Sequence, residues 1–369
     1  METFIDLDKD FVKLNIEDIL GCINGKDENG ESFKIVNPPH NEVKEEFTKF
    51  VNQQIKERRK NSSISSMRDL HNFIKRVLII NTTNLYLSKH RGEQLSLLDI
   101  SCGRGGDLQK WNAAHIKNVF GFDKSHESIF SINPLNQGLE QRYLNSKKQI
   151  QTNVEFDVGD AIQPSVELIN RIGMFMEKHK LINKKNPEFS GFQLMSCQFA
   201  LHYFFQSEQA LRNMLGMFSQ FLRKGGYFIG TCVDGKRITE LLGKSTNFDS
   251  QLLSITKKFK AVNPTKAFGN QYIFSIKDTV DQGNYFNTLG ESTEYLVFMD
   301  KFINLAKEYN LEPVFLNLFE PVEQNVYTNT YGKFVSFEEI YKLNVWNKTL
   351  NKDELVINNL YTTFVFVKV

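Results

Sequence analysis

The chain has 369 residues, 41% of them apolar, with 45 Lys and Arg against 43 Asp and Glu for a formal charge of +2. This composition excludes wholesale disorder, and it excludes a protein that coats nucleic acid by charge alone, so any polyanion contact must be local. Cys22, Cys102, Cys197 and Cys232 stand too far apart for a CxxC metal knuckle and are too few for a disulfide scaffold, which points to a reducing compartment and to no metal site. The opening METFIDLDKDF carries acids and no apolar core, unlike a secretory or transit peptide. No apolar run approaches the roughly eighteen residues of a membrane span, so a soluble intracellular protein with no membrane partner is expected. Residues 1–60 read as an N-terminal extension ending in a charged helical pattern over 43–60, and the main domain is expected over 61–369.

NSSISS offers several helix caps, and MRDLHNFIKRVLIINTTNLYL follows with Leu70, Phe73, Ile74, Val77 and Leu78 at helical spacing. Short β-branched or aromatic runs then alternate with helical patterns: LSLLDIS, VFGFDKS, VEFDVGD, FQLMSCQFAL and, after a helix near 207–222, GGYFIGTCV. Such alternation predicts an α/β fold, a doubly wound and mostly parallel sheet covered on both faces. A less regular stretch over 245–292 reads as an insertion above the sheet's active edge. A helix is expected over 294–308 and two last strands near 312–319 and 359–368.

The segment LLDISCGRGGD is a strand, a glycine-rich turn and a helix start, which suits a nucleotide-like ligand. Asp123 ends the second strand, where an acid in doubly wound folds accepts both ribose hydroxyls. A dinucleotide and S-adenosylmethionine both fit that geometry. GxGxxG is absent, because its first glycine is Ser101 here, and Asp99 would repel a pyrophosphate while suiting the ammonium of a methionine moiety. Asp160, at the end of the third strand, is placed to accept from an adenine amine. Three acids after successive strands favour S-adenosylmethionine over a plain αβ connection.

Four stretches, MRDLHNFIKRVLI, LLDISCGRGGDLQKW, SCQFALHYFF followed by GGYFIGT, and TEYLVF, resemble the mRNA cap (guanine-N7) methyltransferases, both cellular enzymes and the methyltransferase parts of viral capping enzymes. The resemblance covers about residues 65–369 and implies a Rossmann-like class I S-adenosylmethionine-dependent methyltransferase fold. It implies that Lys75 reaches the cofactor's carboxylate, that Ser101 and Gly103 shape the turn around it, that Asp123 holds the ribose and Asp160 the adenine, and that Gln198 and Tyr203 complete the pocket. It places Arg104, Lys110 and Arg142 toward the triphosphate bridge of a GpppN cap, and His202, Tyr203, Glu294 and Tyr361 around the guanine. Two departures stand out: Ser101 replaces the first turn glycine, and His71 stands where relatives often place an asparagine.

The implied reaction needs no catalytic base, because guanine N7 already offers a lone pair; the protein's work is alignment and exclusion of water. The implied partners are capped RNA and possible further capping modules or an activating subunit, and the implied location is the nucleus for a cellular enzyme or a cytoplasmic replication site for a viral one. Taken singly, each residue has a plainer reading. Lys75, Arg104 and Lys110 can be solvated helix residues, His202 and Tyr203 a strand-end cap, Glu294 a helix-start acid and Tyr361 a packing aromatic. Two alternatives share the fold: a methyltransferase of small molecules or protein side chains, and a noncatalytic cofactor-binding subunit of a capping complex. No KxDG pattern for guanylyl transfer occurs.

Overall fold

Strands buried on both faces need long apolar runs, and Ser96–Ile100 and Phe192–Gln198 are buried at every position. The computed structural model describes residues 61–133, 136–260, 266–277, 291–315, 318–319 and 334–369, together with 24–26, 32–34, 53 and 57. Strands β1 (Asn24–Lys26) and β2 (Ser32–Lys34) pair with each other; the rest of the 43–60 helical pattern, 53 and 57 apart, lies outside the described residues, as does Cys22. The domain then runs α1 (Ser65–Lys89), β3 (Ser96–Ile100), α2 (Leu108–Ala113), β4 (Asn118–Asp123), α3 (His126–Phe130), α4 (Leu139–Ser146), β5 (Asn153–Val158) and α5 (Val166–Lys178). It continues through β6 (Phe192–Gln198), α6 (Leu201–Phe204), α7 (Glu208–Phe221), β7 (Leu222–Val233) and α8 (Gly235–Leu242). Four strands follow, β8 (Asn247–Asp249), β9 (Leu253–Lys257), β10 (Gln271–Ile276) and β11 (Ser292–Tyr295). The chain closes with α9 (Met299–Glu308), β12 (Leu311–Pro313), α10 (Phe337–Lys342), α11 (Lys352–Asn358) and β13 (Tyr361–Lys368).

The seven-stranded sheet has the order β12-β13-β7-β6-β3-β4-β5, with β13 antiparallel to both neighbours and the other pairs parallel. The chain winds from β3 outward through β4 and β5, then returns to the other side of β3 with β6. The cleft at the carboxyl ends beside that reversal is where doubly wound sheets bind ligands. Because β13 runs the opposite way, its first residue, Tyr361, pairs with Val233 at the end of β7 and arrives at the same edge. This is the doubly wound α/β architecture of the Rossmann-like methyltransferase fold.

Helix α1 covers one face with Leu70, Ile74 and Leu78 fully buried. Truncating such a residue, Ile74→Ala for instance, costs about 2–5 kcal/mol. The serines of NSSISS do not cap it: Ile64 is the N-cap residue and offers no side-chain acceptor. The orphan N–H of Met67 is taken instead by Glu354 Oε1 at 2.9 Å, from the start of α11. A buried carboxylate from the far end of the chain outcompetes the local hydroxyls.

The described part of 245–292 is not irregular but a second antiparallel sheet, ordered β11-β10-β9-β8. Alternation decides its faces: Tyr272, Phe274 and Ile276 are buried, joining the same apolar core as α1, while Gln271, Ile273 and Ser275 are half-exposed. The helix expected from 294 begins at Met299, and Glu294 lies on β11, pairing with Tyr272. Short runs such as STEYLVF suit both periods, and the strand partner decides. The next expected strand is shorter too, covering Leu311–Pro313, and the third ends at Val158, two positions before Asp160.

Candidate cofactor and guanine site

The turn after β3 is held by backbone geometry. Gly103 has φ +53 with open space where a Cβ would stand, so a ligand can approach its backbone. Ser101 has φ +60, a left-handed conformation that costs a non-glycine residue about 1–2 kcal/mol. Asp123 ties the turn to β4: Oδ2 accepts from the Gly103 N–H at 2.8 Å and Oδ1 from the Ser125 N–H at 2.9 Å. Burial pushes the Asp123 carboxyl above its usual range, against those two hydrogen bonds.

Asp99 is 2% exposed, and its Oδ1 has no hydrogen-bond partner among the described residues. Burial and the neighbouring Asp107 charge push its carboxyl well above the usual range. A buried acceptor left open beside a glycine turn suits an incoming ammonium, which would restore the charged form. The donor set therefore fits the methionine end of S-adenosylmethionine. Asp160 is less committed: Oδ1 accepts from the Ile162 N–H, and Oδ2 pairs with the exposed Lys124 at 3.0 Å. Gln198 is tied into the sheet, accepting from Thr231 Oγ1 at 3.0 Å and donating to Ser196 Oγ at 3.3 Å.

Two lysines meet on one carboxylate. Lys75 Nζ lies 2.7 Å and Lys110 Nζ 2.8 Å from Asp107 Oδ1, and Lys110 also donates to the Gly106 carbonyl at 2.7 Å. Burial alone would raise the Asp107 carboxyl, but the two ammonium groups outweigh it and hold it down to about 2. Lys110 is only 7% exposed, so the structure groups it with Lys75 rather than with Arg104. Arg104 instead pairs with Glu127 at 2.7 Å and donates to the Asn136 carbonyl at 2.6 Å. Arg142 lies on α4, half-buried, one turn from Gly138.

On the other side of the cleft, α6 and β11 face each other. Glu294, 1% exposed, accepts from the Tyr272 hydroxyl at Oε2 (2.7 Å), while Oε1 stands 3.7 Å from His202 Nε2, beyond hydrogen-bond length. Burial pushes the Glu294 carboxyl up to about 8, against hydrogen bonds from Tyr272 and Ser292. His202 is buried, has no hydrogen-bond partner at either ring nitrogen among the described residues, and is held down to about 3 by burial, hence neutral. Its ring packs edge-on against Tyr203 at 4.1 Å, and the Tyr203 hydroxyl meets Ser292 Oγ at 3.1 Å. Tyr361 closes the floor with Phe199 at 5.2 Å, His71 at 5.0 Å and Phe337 at 5.6 Å. A carboxyl, a neutral imidazole and aromatic faces around one cleft are what a planar base with ring N–H and amino donors requires.

Asp99, Ser101, Gly103, Asp123 and Gln198 thus lie at or just past the carboxyl ends of β3, β4 and β6, and Lys75 and Lys110 are joined at Asp107 beside that turn. His202, Tyr203 and Glu294 lie together on α6 and β11, while Arg142 stays on α4. Those missed by the sequence reading are Asp107, Tyr272, Ser292 and Phe199. Asp107 was visible inside GGDL, but its partner Lys75 comes from another helix. Phe199 has φ +56, and Lys75 Nζ lies 5.6 Å from its ring centre, so strain marks this floor as it marks Ser101. Among the described residues no group of three His, Cys, Asp or Glu could hold a metal, and no helix is long and apolar enough to cross a membrane.

Residues 34–369 match the model of the mRNA (guanine-N(7))-methyltransferase domain, which takes in part of the segment read as an extension. An mRNA cap guanine-N(7) methyltransferase 1 of Arabidopsis thaliana is 29% identical over 342 residues, 88% of this chain and 80% of that protein. The mRNA cap guanine-N(7) methyltransferase of Caenorhabditis elegans is 31% identical over 290 residues, 75% of this chain and 66% of that one. Among solved structures, an S-adenosylmethionine-dependent methyltransferase from Clostridium acetobutylicum superposes with a TM-score of 0.44 at 14% identity, covering 78% of this chain and 90% of that one. With the family model matched over nearly the whole chain, this protein belongs to the mRNA (guanine-N7)-methyltransferase family.

Proposed function

We propose that the protein transfers the methyl group of S-adenosylmethionine to N7 of the terminal guanine of the GpppN cap of mRNA. The observation that carries this is the buried Glu294 carboxyl beside neutral His202, with Tyr203 between it and the cofactor acids, since the Tyr203 hydroxyl bonds to Ser292 and is pushed up by burial and by the charges of both Glu294 and Asp123. The cofactor, when bound, supplies a methyl group on a positively charged sulfur. Asp99 would take its ammonium, Lys75 its carboxylate, Asp123 the ribose and Asp160 the adenine end, with Ser101 and Gly103 leaving room along the turn and Gln198 and Tyr203 closing the pocket.

On the substrate side, Glu294 accepts from guanine N1–H and the exocyclic amine, which marks the base as guanine and leaves N7 electron-rich. His202 and Tyr203 wall the base, and Tyr361 supports the floor through Phe199 and His71. Arg104 and Arg142 serve the triphosphate bridge, and Arg104 must exchange Glu127 for phosphate to do so. Lys110 holds Asp107 and, through it, Lys75. None of these groups removes a proton from N7, which has none; they align donor and acceptor and keep water out, an effect that supplies about 7–11 kcal/mol in favourable cases.

The substrate is capped RNA. Other capping modules or an activating subunit are proposed partners, and the nucleus of a cell or a viral replication site in the cytoplasm the proposed location. Incubation with methyl-labelled cofactor and GpppA-capped or uncapped RNA tests the reading. Label is expected in capped RNA alone, and equal labelling of both, or of protein or small molecules instead, would overturn it.

A further inference from the structure

Outside the cleft, lysines and aromatic rings interleave on the β8–β11 sheet. Lys257, Lys258, Phe259 and Lys260 leave the end of β9, and Lys266 and Phe268 precede β10. Lys258, Lys260 and Lys266 are exposed, Lys257 half-buried, and among the described residues none of the four pairs with a carboxylate. Lys301 joins them from α9, near Phe268. Lys257 Nζ stands 4.9 Å from the Phe259 ring centre and Lys301 Nζ 5.7 Å from that of Phe268. One acid, Glu208, borders the hollow lined by Ser207, Lys266, Phe268 and Lys301, and Arg212 at 2.8 Å and Lys301 at 3.4 Å already neutralise it. The overall charge of +2 makes such a cluster local rather than general.

Its placement ties it to the cleft. Tyr272 pairs with Glu294 on one side and Lys257 on the other, so the three share one face of the sheet. Two strand spacings put Lys257 about 10 Å from the guanine carboxylate. At the other border, Phe268 stacks on Phe205 at 5.3 Å, and Gly269 N–H bonds to the Phe205 carbonyl at 2.9 Å, directly after the His202–Tyr203 pair.

Resting on the cap-methylation reading, we propose that this lysine–aromatic surface binds the single-stranded RNA that follows the cap, its first nucleotides passing from the guanine cleft over Lys257, Phe259 and Phe268. Lysines that pair with no carboxylate among the described residues, with rings between them, match the requirements of single-stranded RNA: charge for the backbone and π faces for bases of any sequence. A phosphate competes for each ammonium, and the ring it leaves becomes a stacking surface. A site for an acidic protein partner would use the charges alone and gain nothing from nucleotides beyond the cap.

The test measures KM for GpppA and for a GpppA-capped RNA decamer. The wild-type protein should favour the decamer by about tenfold or more, with an advantage that shrinks as salt rises. Lys257→Ala/Lys258→Ala/Lys260→Ala/Lys266→Ala should abolish most of that advantage while leaving kcat and KM on GpppA within about twofold. A second variant, Phe259→Ala, should reduce the advantage at high salt, where phosphate contacts are screened. Equal KM for both substrates in the wild-type protein, retention of the advantage in the quadruple variant, or equal losses on GpppA and decamer would overturn the proposal. Failure of the wild-type protein to methylate either substrate would instead refute the cap-methylation reading.

Discussion

In the proposed reaction Glu294 selects the base, and its burial sets a measurable pH dependence. Its carboxyl moves from an ordinary 4.5 to about 8 in the folded protein, so the group is mostly protonated at pH 7 in the free cleft. Two acceptor oxygens for guanine N1–H and amine require the ionised form. Ionising it at pH 7 costs about 1.4 kcal/mol, one pH unit's worth, so cap affinity should rise about fivefold from pH 7 to 8, where the group is half ionised, and level off at about tenfold above pH 9. Folding runs the other way. An acid whose pKa is raised on folding destabilises the native state as pH climbs from the unfolded value through the folded one, here from 4.5 to about 8, by on the order of 3 kcal/mol already at pH 7. Glu294→Gln removes both effects: its melting temperature should equal or exceed that of the wild-type protein, with a margin that widens from pH 5 to 8. Its amide sets a donor against the donors of guanine, so methylation of capped RNA should fall by about 100-fold, or roughly 2.7 kcal/mol, with cofactor affinity unchanged. Steady-state kinetics, calorimetry with cofactor and thermal melts across pH together check this. Normal methylation by Glu294→Gln, or joint loss of cofactor and cap binding with a lowered melting temperature, would show a structural acid instead of a guanine selector.

Asp123→Ala should weaken S-adenosylmethionine binding by about 1–3 kcal/mol in calorimetry, and NAD should give no heat with either protein; an unchanged dissociation constant would remove Asp123 from the pocket. Activity on capped RNA should decline with salt, and Arg104→Ala should flatten that decline, because this guanidinium reaches phosphate by leaving Glu127 and the Asn136 carbonyl. A wild-type rate indifferent to salt would count against the phosphate contacts. Tyr272→Phe removes a donor that favours the ionised Glu294, so the pH at which cap affinity levels off should move upward while kcat at high pH stays near that of the wild-type protein.

The sheet and the glycine turn were legible because their signals are local: apolar runs, Gly103 and the acids Asp99 and Asp123 all lie within single strand–turn units. What was not legible depends on distant pairing. Glu294 reads as a helix-start acid until β10 takes it up as a strand partner, and the segment joining them gives no local cue. Asp107 reads as part of a turn, and only the docking of α1 brings Lys75 to it. Lys110 has the position of a phosphate ligand in the motif, yet that same carboxylate holds its ammonium inside the protein. The serines before α1 have the right spacing to cap it, and lose to Glu354 because α11 packs on the helix start. Residue types and order revealed the chemistry; which side chains share a partner required the three-dimensional contacts.

Locating the transferred methyl group tests the account most directly. After reaction of GpppA-capped RNA with methyl-labelled S-adenosylmethionine, nuclease digestion to cap dinucleotides and chromatography against standards should place the label in 7-methylguanosine, as m7GpppA, and nowhere else. Label on a ribose 2′-oxygen, on an internal base or at another position of the cap guanine would contradict the alignment of N7 with the methyl donor between Glu294 and the glycine turn.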